Sequence, residues 1–295
     1  MKKAYVFPGQ GSQSVGMGQT HYEYNPLFAR YFDQAKEILG FDLTDIMFHG
    51  PEDKLKQTEF TQPAIFLHSV ALFESLKQKP DMAAGHSLGE FSALVASRAI
   101  SFEQALTTVR KRGELMQKAG VQHPGAMAAV IGMDDEAVED ICEKASHKTK
   151  LPVVPANFNS KGQLVISGHE EAVGLAIELL KEAGCKLAKK LPVSGAFHSP
   201  LMLPAFEGLE ESLKTMDFKE PDCPVYSNYT GNATSDPEEL RSNLLNQLLN
   251  PVRWTQTMIN MKNDGATLMI EVGPGKVLQG LAKRTVKELD TFGYE

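Results

Sequence analysis

Cysteine is scarce in this chain. Its 295 residues hold three, Cys142, Cys185 and Cys223, with no C-x-x-C spacing among them. That excludes a disulfide framework and a structural zinc site, and it fits a reducing cytoplasm. Long apolar runs are missing as well. The charged start Met1-Lys2-Lys3 is followed only by Ala4–Phe7 before Pro8 intervenes, so a signal peptide is not expected. No stretch approaches the ~18 apolar residues of a membrane span. Nor is there a basic surplus: 30 Lys and Arg face 37 Asp and Glu, a net charge of -7. No basic run is longer than Arg110-Lys111-Arg112, so nucleic acid is not an expected partner, because phosphate binding needs a basic surface. Internal repeats and low-complexity segments are absent too. What remains is ordinary globular composition, 42% apolar and 23% charged, in a chain long enough for one large α/β domain with an insertion or for two domains.

Strand and helix signals alternate along the chain. Ala4–Phe7 reads as a short buried strand ended by Pro8-Gly9. Helices are expected over Pro26–Leu39 and over Thr61–Leu76, with Pro63 near the start of the second. A strand over Asp81–Ala84 feeds a turn and then a helix over Glu90–Ala96, and Phe102–Met116 is helical. From about 125 to 193 the pattern is its own. Ala126–Ile131, Val153–Phe158, Gln163–Ser167 and Lys186–Val193 read as strands, with helices at Asp134–Lys144 and Glu170–Ala183. The order β-α-β-β-α-β is that of a split βαβ, ferredoxin-like unit. The expected division is therefore a large α/β core over 1–124 and 194–295, with a small insert over 125–193. The core resumes with a strand at Pro224–Asn228, a helix over Asp236–Leu249 and a strand over Thr267–Val272. Its sheet should be mostly parallel and covered on both faces.

Gly85-His86-Ser87-Leu88-Gly89 has the form G-x-S-x-G between a strand and a helix. A free serine hydroxyl is a poor nucleophile. A sharp strand-to-helix turn pushes its Oγ out of the fold, beside unpaired N–H groups at the helix N-terminus. Ser87-Leu88-Gly89-Glu90 also fits a helix capping box, which needs no catalysis. A serine nucleophile needs a base. Of the eight histidines, His86 adjoins the serine and should diverge from it, while His123, His147 and His169 lie in turns or helix ends. His198 lies in a loop of small residues directly after a strand, where binding residues often sit. No carboxylate partner for it is evident, but a backbone carbonyl can orient an imidazole instead.

Arg112 falls in the apolar stripe of its helix with Ala105, Val109 and Met116. A guanidinium there needs an anion: either a structural ion pair or a substrate carboxylate, which arginine's fork grips in two places. The glycine-rich turn Phe7-Pro8-Gly9-Gln10-Gly11-Ser12-Gln13 fails both the dinucleotide fingerprint and the phosphate-loop pattern. A backbone N–H of Gln10 could instead form half of an oxyanion hole opposite Leu88. No metal or cofactor is expected.

Taken together, these segments resemble the malonyl-CoA:acyl carrier protein transacylases of bacterial type II fatty-acid synthesis. The resemblance runs over nearly the whole chain. Beyond the turn at Gln10, the Ser87 pentapeptide and Arg112-Gly113, it rests on Thr61-Gln62-Pro63-Ala64, Gly195-Ala196-Phe197-His198-Ser199, Asn250-Pro251-Val252-Arg253-Trp254 and Glu271-Val272-Gly273-Pro274-Gly275-Lys276. It implies a hydrolase-like core with a ferredoxin-like insert. It also implies Ser87 as nucleophile, His198 as base, Gln10 and Leu88 as oxyanion donors and Arg112 as the carboxylate clamp. His86 and Gln62 would line the pocket, Phe197 would crowd a methylmalonyl α-carbon, and the backbone carbonyl of Asn250 would orient His198. Implied partners are malonyl-CoA and acyl carrier protein, with a monomer as the default state. An acidic carrier would need a local basic patch, for which Lys186, Lys189, Lys190, Lys276, Lys283 and Arg284 are candidates. The competing readings are a serine hydrolase or thioesterase, a non-catalytic carrier-binding module, and an acyltransferase serving polyketide synthesis. No histidine follows His198, which counts against hydrolase order.

Overall fold

The computed structural model describes residues 2–295. Strand β1 (Lys2–Phe7) leads into five helices, α1 (Gln19–Tyr24), α2 (Pro26–Leu39), α3 (Leu43–His49), α4 (Glu52–Leu55) and α5 (Thr58–Leu76). Strand β2 (Met82–Gly85) turns into α6 (Gly89–Ala96), followed by the long α7 (Phe102–Gln122). The next segment reads β3 (Gly125–Ile131), α8 (Asp135–Thr149), β4 (Val153–Ser160), β5 (Gln163–His169), α9 (Glu170–Glu182) and β6 (Leu187–Lys190). After it come α10 (Leu203–Lys214), β7 (Val225–Tyr226), β8 (Ala233–Thr234) and α11 (Pro237–Asn246). The chain closes with α12 (Trp254–Asn263), β9 (Ala266–Val272), α13 (Val277–Thr285) and β10 (Asp290–Tyr294).

The first sheet runs β10-β9-β1-β2-β7-β8 and is parallel except for its last pair. Strand β1 is the switch point: β2 lies on one side and β9 on the other. Ligand crevices of open α/β sheets form at the carboxyl ends of strands at such a point. Here those ends release Pro8-Gly9-Gln10 and His86-Ser87 into one cleft, and Gly273, just past β9, packs against Pro8. The second sheet, β4-β5-β3-β6, is antiparallel throughout, the ferredoxin-like order. Its two faces alternate as the period of two requires. Ala126, Ala128, Val130, Leu164 and Ile166 pack beneath α8 and α9, while Met127 and Val165 face the main core. An isolated bridge between Asn157 and Val252, with Phe158 N–H donating to Val252 O at 2.9 Å, ties β4 to the main body.

Several elements differ from expectation for physical reasons. Helix α5 starts one turn before Thr61, so Pro63 lies inside it rather than near its start. A proline there removes the bond to the carbonyl four residues back. That carbonyl, on Glu59, instead accepts from Arg110 Nη1 at 2.6 Å. Helix α7 continues past Met116 to Gln122, and α11 stops at Asn246 rather than Leu249. The short helices α1, α3 and α4 and the edge strands β8 and β10 carry little periodic signal; α1 and β10 bury no residue, and β10 is set by its parallel pairing with β9. No described helix is long and apolar enough to cross a membrane.

Two glycines of the pentapeptide are dictated by backbone contact. A Cβ on Gly85 would collide with the Gly89 carbonyl, and one on Gly89 with Phe7 O. Gly85→Ala should therefore cost about 3 kcal/mol or more, in the range of strained and overpacked sites. A thermal melt should show a fall of about 6 °C or more; an unchanged melt would mean the elbow relaxes freely.

Candidate active site

Between β2 and α6 the backbone of Ser87 takes φ 51°. A left-handed serine is uncommon, and such strain costs about 1–3 kcal/mol, so the surroundings must hold it. They do so on both sides. Ser87 N–H donates to Asn228 Oδ1 at 2.6 Å, and Asn228 Nδ2 donates to Gly85 O at 2.6 Å. Gln247 Nε2 donates to Ser87 O at 2.9 Å. The capping-box alternative does not hold. Leu88, not Ser87, precedes the helix, and no side chain caps it. The Glu90 carboxylate accepts from Asn228 N–H at 3.1 Å and Gln247 Nε2 at 2.8 Å rather than reaching back to the turn.

His198 also sits at positive φ, 56°, in the loop after β6. Its Nε2 lies 2.8 Å from Ser87 Oγ, and its Nδ1 lies 2.8 Å from the carbonyl oxygen of Gln247. A carbonyl only accepts, so Nδ1 carries the proton and Nε2 presents its lone pair to the serine. The orienting carbonyl thus belongs to Gln247, a correction to the expectation of Asn250. Gln247 is the C-cap of α11, where carbonyls lack helical partners and remain free to accept. Asn250 lies three residues further on; its side chain bonds Asn246 O at 2.8 Å, and its carbonyl acts on the imidazole more weakly. Burial, then the nearby Arg112 cation, holds the His198 pKa down to about 3. The ring is therefore neutral at ordinary pH.

Arg112 is 1% exposed, on the buried stripe of α7 with Ala105, Val109 and Met116. Its Nη1 donates to Gln62 Oε1 at 2.7 Å. Its Nη2 donates to Gln247 Oε1 at 3.0 Å and to Ser87 Oγ at 3.2 Å. No carboxylate touches the guanidinium among the described residues. Burial lowers its pKa to about 10 and the field of Glu90 opposes that, so it stays a cation at neutral pH. A buried cation held only by neutral acceptors is a built receptor for an anion.

The turn after β1 packs directly on the elbow. His86 N–H donates to Phe7 O at 2.9 Å, and a Cβ on Gly9 would strike His86 O. Neither the Gln10 N–H nor the Leu88 N–H donates to another described residue. Two free donors beside a serine are what an oxyanion hole requires. Above Ser87 opens a cleft of about 290 Å³ between the two sheets, walled by Gln10, His86, Phe197, His198, Met127 and Val165. Gln62 and Arg112 do not line the open cleft; they are buried beneath the serine. His86 Nε2 lies 2.8 Å from Asn159 Oδ1 on β4, which ties the elbow to the second sheet.

Sequence reasoning found the serine, histidine and arginine but missed Gln247, Asn228 and Asn159. Gln247 joins all three groups: its carbonyl orients His198, its Oε1 accepts from Arg112 and its Nε2 holds the elbow. Among the described residues no cluster of three or more metal-ligating side chains exists. The arrangement suits acyl transfer by an activated serine to which a carboxylate-bearing acyl group is brought.

Comparison with known proteins agrees. The pattern of the acyl transferase domain family matches residues 4–293. The malonyl CoA-acyl carrier protein transacylase of Bacillus subtilis (strain 168) is 46% identical over 294 residues, spanning 99% of this chain and 92% of that protein. That of Escherichia coli (strain K12) is 44% identical over 290 residues, 97% of this chain and 93% of the relative. The crystal structure of an acyl carrier protein S-malonyltransferase from Vibrio cholerae has a TM-score of 0.96 at 44% identity, covering 100% of this chain and 97% of its own. A malonyl-transacylase in complex with its type II PKS acyl-carrier protein has a TM-score of 0.96 at 41% identity, covering 100% of this chain and 96% of its own. On fold, site geometry and relatedness alike, this chain belongs to the malonyl CoA-acyl carrier protein transacylases of the acyl transferase domain family.

Proposed function

We propose that the protein moves a malonyl group from malonyl-CoA to the phosphopantetheine thiol of an acyl carrier protein through an ester on Ser87. The observation that carries this reading is one oxygen with two partners. Ser87 Oγ lies 2.8 Å from His198 Nε2 and accepts from Arg112 Nη2 at 3.2 Å, so the base and the carboxylate receptor meet at the nucleophile. Ser87 Oγ attacks the thioester carbonyl while His198 Nε2 takes its proton. The Gln10 and Leu88 N–H groups hold the oxyanion, and Arg112 holds the malonyl carboxylate. Collapse expels the CoA thiol, to which His198 returns the proton. The carrier thiol then repeats the sequence in reverse. Phe197 lines the cleft, and on this reading its ring crowds a methyl on the malonyl α-carbon, worth about 1–3 kcal/mol of discrimination. These steps call for no metal or cofactor, and we take the enzyme to act as a monomer in a reducing cytoplasm, which its three sparse cysteines suit.

Parallel double-reciprocal plots and exchange of labelled CoA into malonyl-CoA without carrier would support this ping-pong course. Intersecting plots with no exchange would sink it. We take the carrier to be that of fatty-acid synthesis; the likeness to a transacylase bound to a type II PKS carrier keeps a polyketide carrier as the second reading. Comparing kcat/KM on the two carriers decides between them.

Docking should use the cleft mouth, where Val277 lines the opening and is 54% exposed. Of the basic candidates nearby, Lys190 pairs with Glu170 at 2.8 Å, Lys276 with Glu295 at 3.7 Å, and Arg284 bonds Gln163 at 2.7 Å. Lys186, Lys189 and Lys283 form no ion pair among the described residues. Lys189→Glu with Lys283→Glu should raise the carrier KM by about tenfold, the effect of rim charges on steering, and leave acylation by malonyl-CoA unchanged. Steady-state kinetics of each half-reaction checks this; two unaltered half-reactions would place docking elsewhere.

A further inference from the structure

Glu90 is a buried carboxylate beside the site that the reaction above leaves idle. It is 2% exposed, yet it makes no direct ion pair among the described residues. Its Oε2 accepts from two donors, Asn228 N–H at 3.1 Å and Gln247 Nε2 at 2.8 Å. The other end of the same Gln247 amide, Oε1, accepts from Arg112 Nη2 at 3.0 Å. Guanidinium, amide and carboxylate thus form one line, with the amide dipole aligned between cation and anion. Glu90 Oε1 accepts from no described donor and is free to take a proton.

A malonyl carboxylate on Arg112 puts a second negative charge on the cation that Glu90 already balances. Two carboxylates sharing one buried site resist joint ionisation. We propose that Glu90 is the counter-charge of Arg112 in the free enzyme, and that it takes up one proton when the malonyl carboxylate arrives. This rests on the acyl-transfer reading. Its consequence is that malonyl, but not a neutral acyl group, loads in competition with the Glu90 charge.

Burial pushes the Glu90 pKa up to about 7, while the Gln247 and Asn228 bonds and the Arg112 charge oppose it. The sign then follows. The malonyl-enzyme holds more protons than the free enzyme, so loading weakens as pH rises above about 7 and levels off below it, where Glu90 is protonated in both states. Other groups around Glu90 do not titrate in that window. Arg112 on α7 stays charged, with its pKa near 10. His198 is held near 3, and burial also depresses His86 on the elbow. Elsewhere on the elements that pack against α6, His68 of α5 is held near 3 and burial raises Tyr5 of β1 above its ordinary value of 10.0. Gln62, Gln247 and Asn228 are neutral.

The test is the equilibrium between free enzyme and acyl-Ser87 enzyme in a malonyl-CoA/CoA mixture, from pH 6.5 to 8.5, with acetyl-CoA/CoA as control. Released CoA thiol titrates near ~8.5, as thiols do, and the control removes that shared effect. Malonyl loading relative to acetyl should fall several-fold to about tenfold per pH unit above 7, the limit for one proton. Glu90→Gln can keep an acceptor oxygen toward both donors. It should flatten that ratio and favour the malonyl-enzyme at pH 8 by about tenfold, leaving acetyl unmoved. A merely structural Glu90 would move both acyl groups together. If Glu90→Gln does not fold, proton uptake by the wild-type enzyme on malonylation, read with an indicator dye at pH 7.5, answers alone. No uptake beyond the acetyl control, or a flat wild-type ratio, overturns the proposal. Absence of any Ser87 adduct on the wild-type enzyme would instead overturn the acyl-transfer reading.

Discussion

Ser87→Ala abolishes the covalent adduct and lowers malonyl transfer by on the order of 10⁴-fold or more, the scale on which serine nucleophiles are lost. His198→Ala gives a loss of similar order, and the double variant is scarcely worse, because the two act through one contact of 2.8 Å. The fold should survive both changes. The elbow is held by backbone and amide contacts to Asn228 and Gln247, not by the hydroxyl. Steady-state rates with intact thermal melts check this. A Ser87→Ala protein that retains a tenth of wild-type transfer would remove Ser87 from the mechanism.

Arg112→Ala separates substrates rather than abolishing chemistry. Malonyl-CoA loses the partner of its carboxylate in a buried site, so its kcat/KM should fall by about 10³-fold, equivalent to roughly 4 kcal/mol. Acetyl-CoA has no carboxylate to lose and should change by less than about tenfold. The pH profile adds a signed prediction. After burial, Arg112 is the next largest influence depressing the His198 pKa. Removing that cation lets the pKa of the base rise, so the acid limb of acetyl transfer moves to higher pH. Loss of both activities in equal proportion would show that Arg112 supports the fold and not the substrate.

The parts of the site legible in the sequence were those with a local cause. A strand-turn-helix with glycines on both sides of a serine is a backbone constraint, and the collisions at Gly85 and Gly89 confirm it. Arg112 was visible because a cation broke an apolar helical stripe. The ferredoxin-like order followed from periodicity, which the alternation of Met127 and Val165 against Ala128 and Leu164 reproduces. The supports of the site had no such mark. Gln247 lies 160 residues from Ser87 in sequence, on a helix cap with no motif around it. Asn228 sits after a two-residue strand. Amides that act through tertiary contact leave no periodic or compositional trace, which is why Asn250, inside a conspicuous Asn-Pro motif, was expected in the role that Gln247 fills. Helix α5 was clear as an element but not at its start, because the cost of Pro63 is offset by an arginine from another helix.

The most direct measurement is intact-protein mass spectrometry of the enzyme mixed with malonyl-CoA, then with holo-carrier protein. A malonyl adduct that maps to Ser87, persists in buffer and moves to the carrier thiol is the predicted result. An adduct that water removes as fast without carrier as with it would contradict transfer and make the protein a hydrolase.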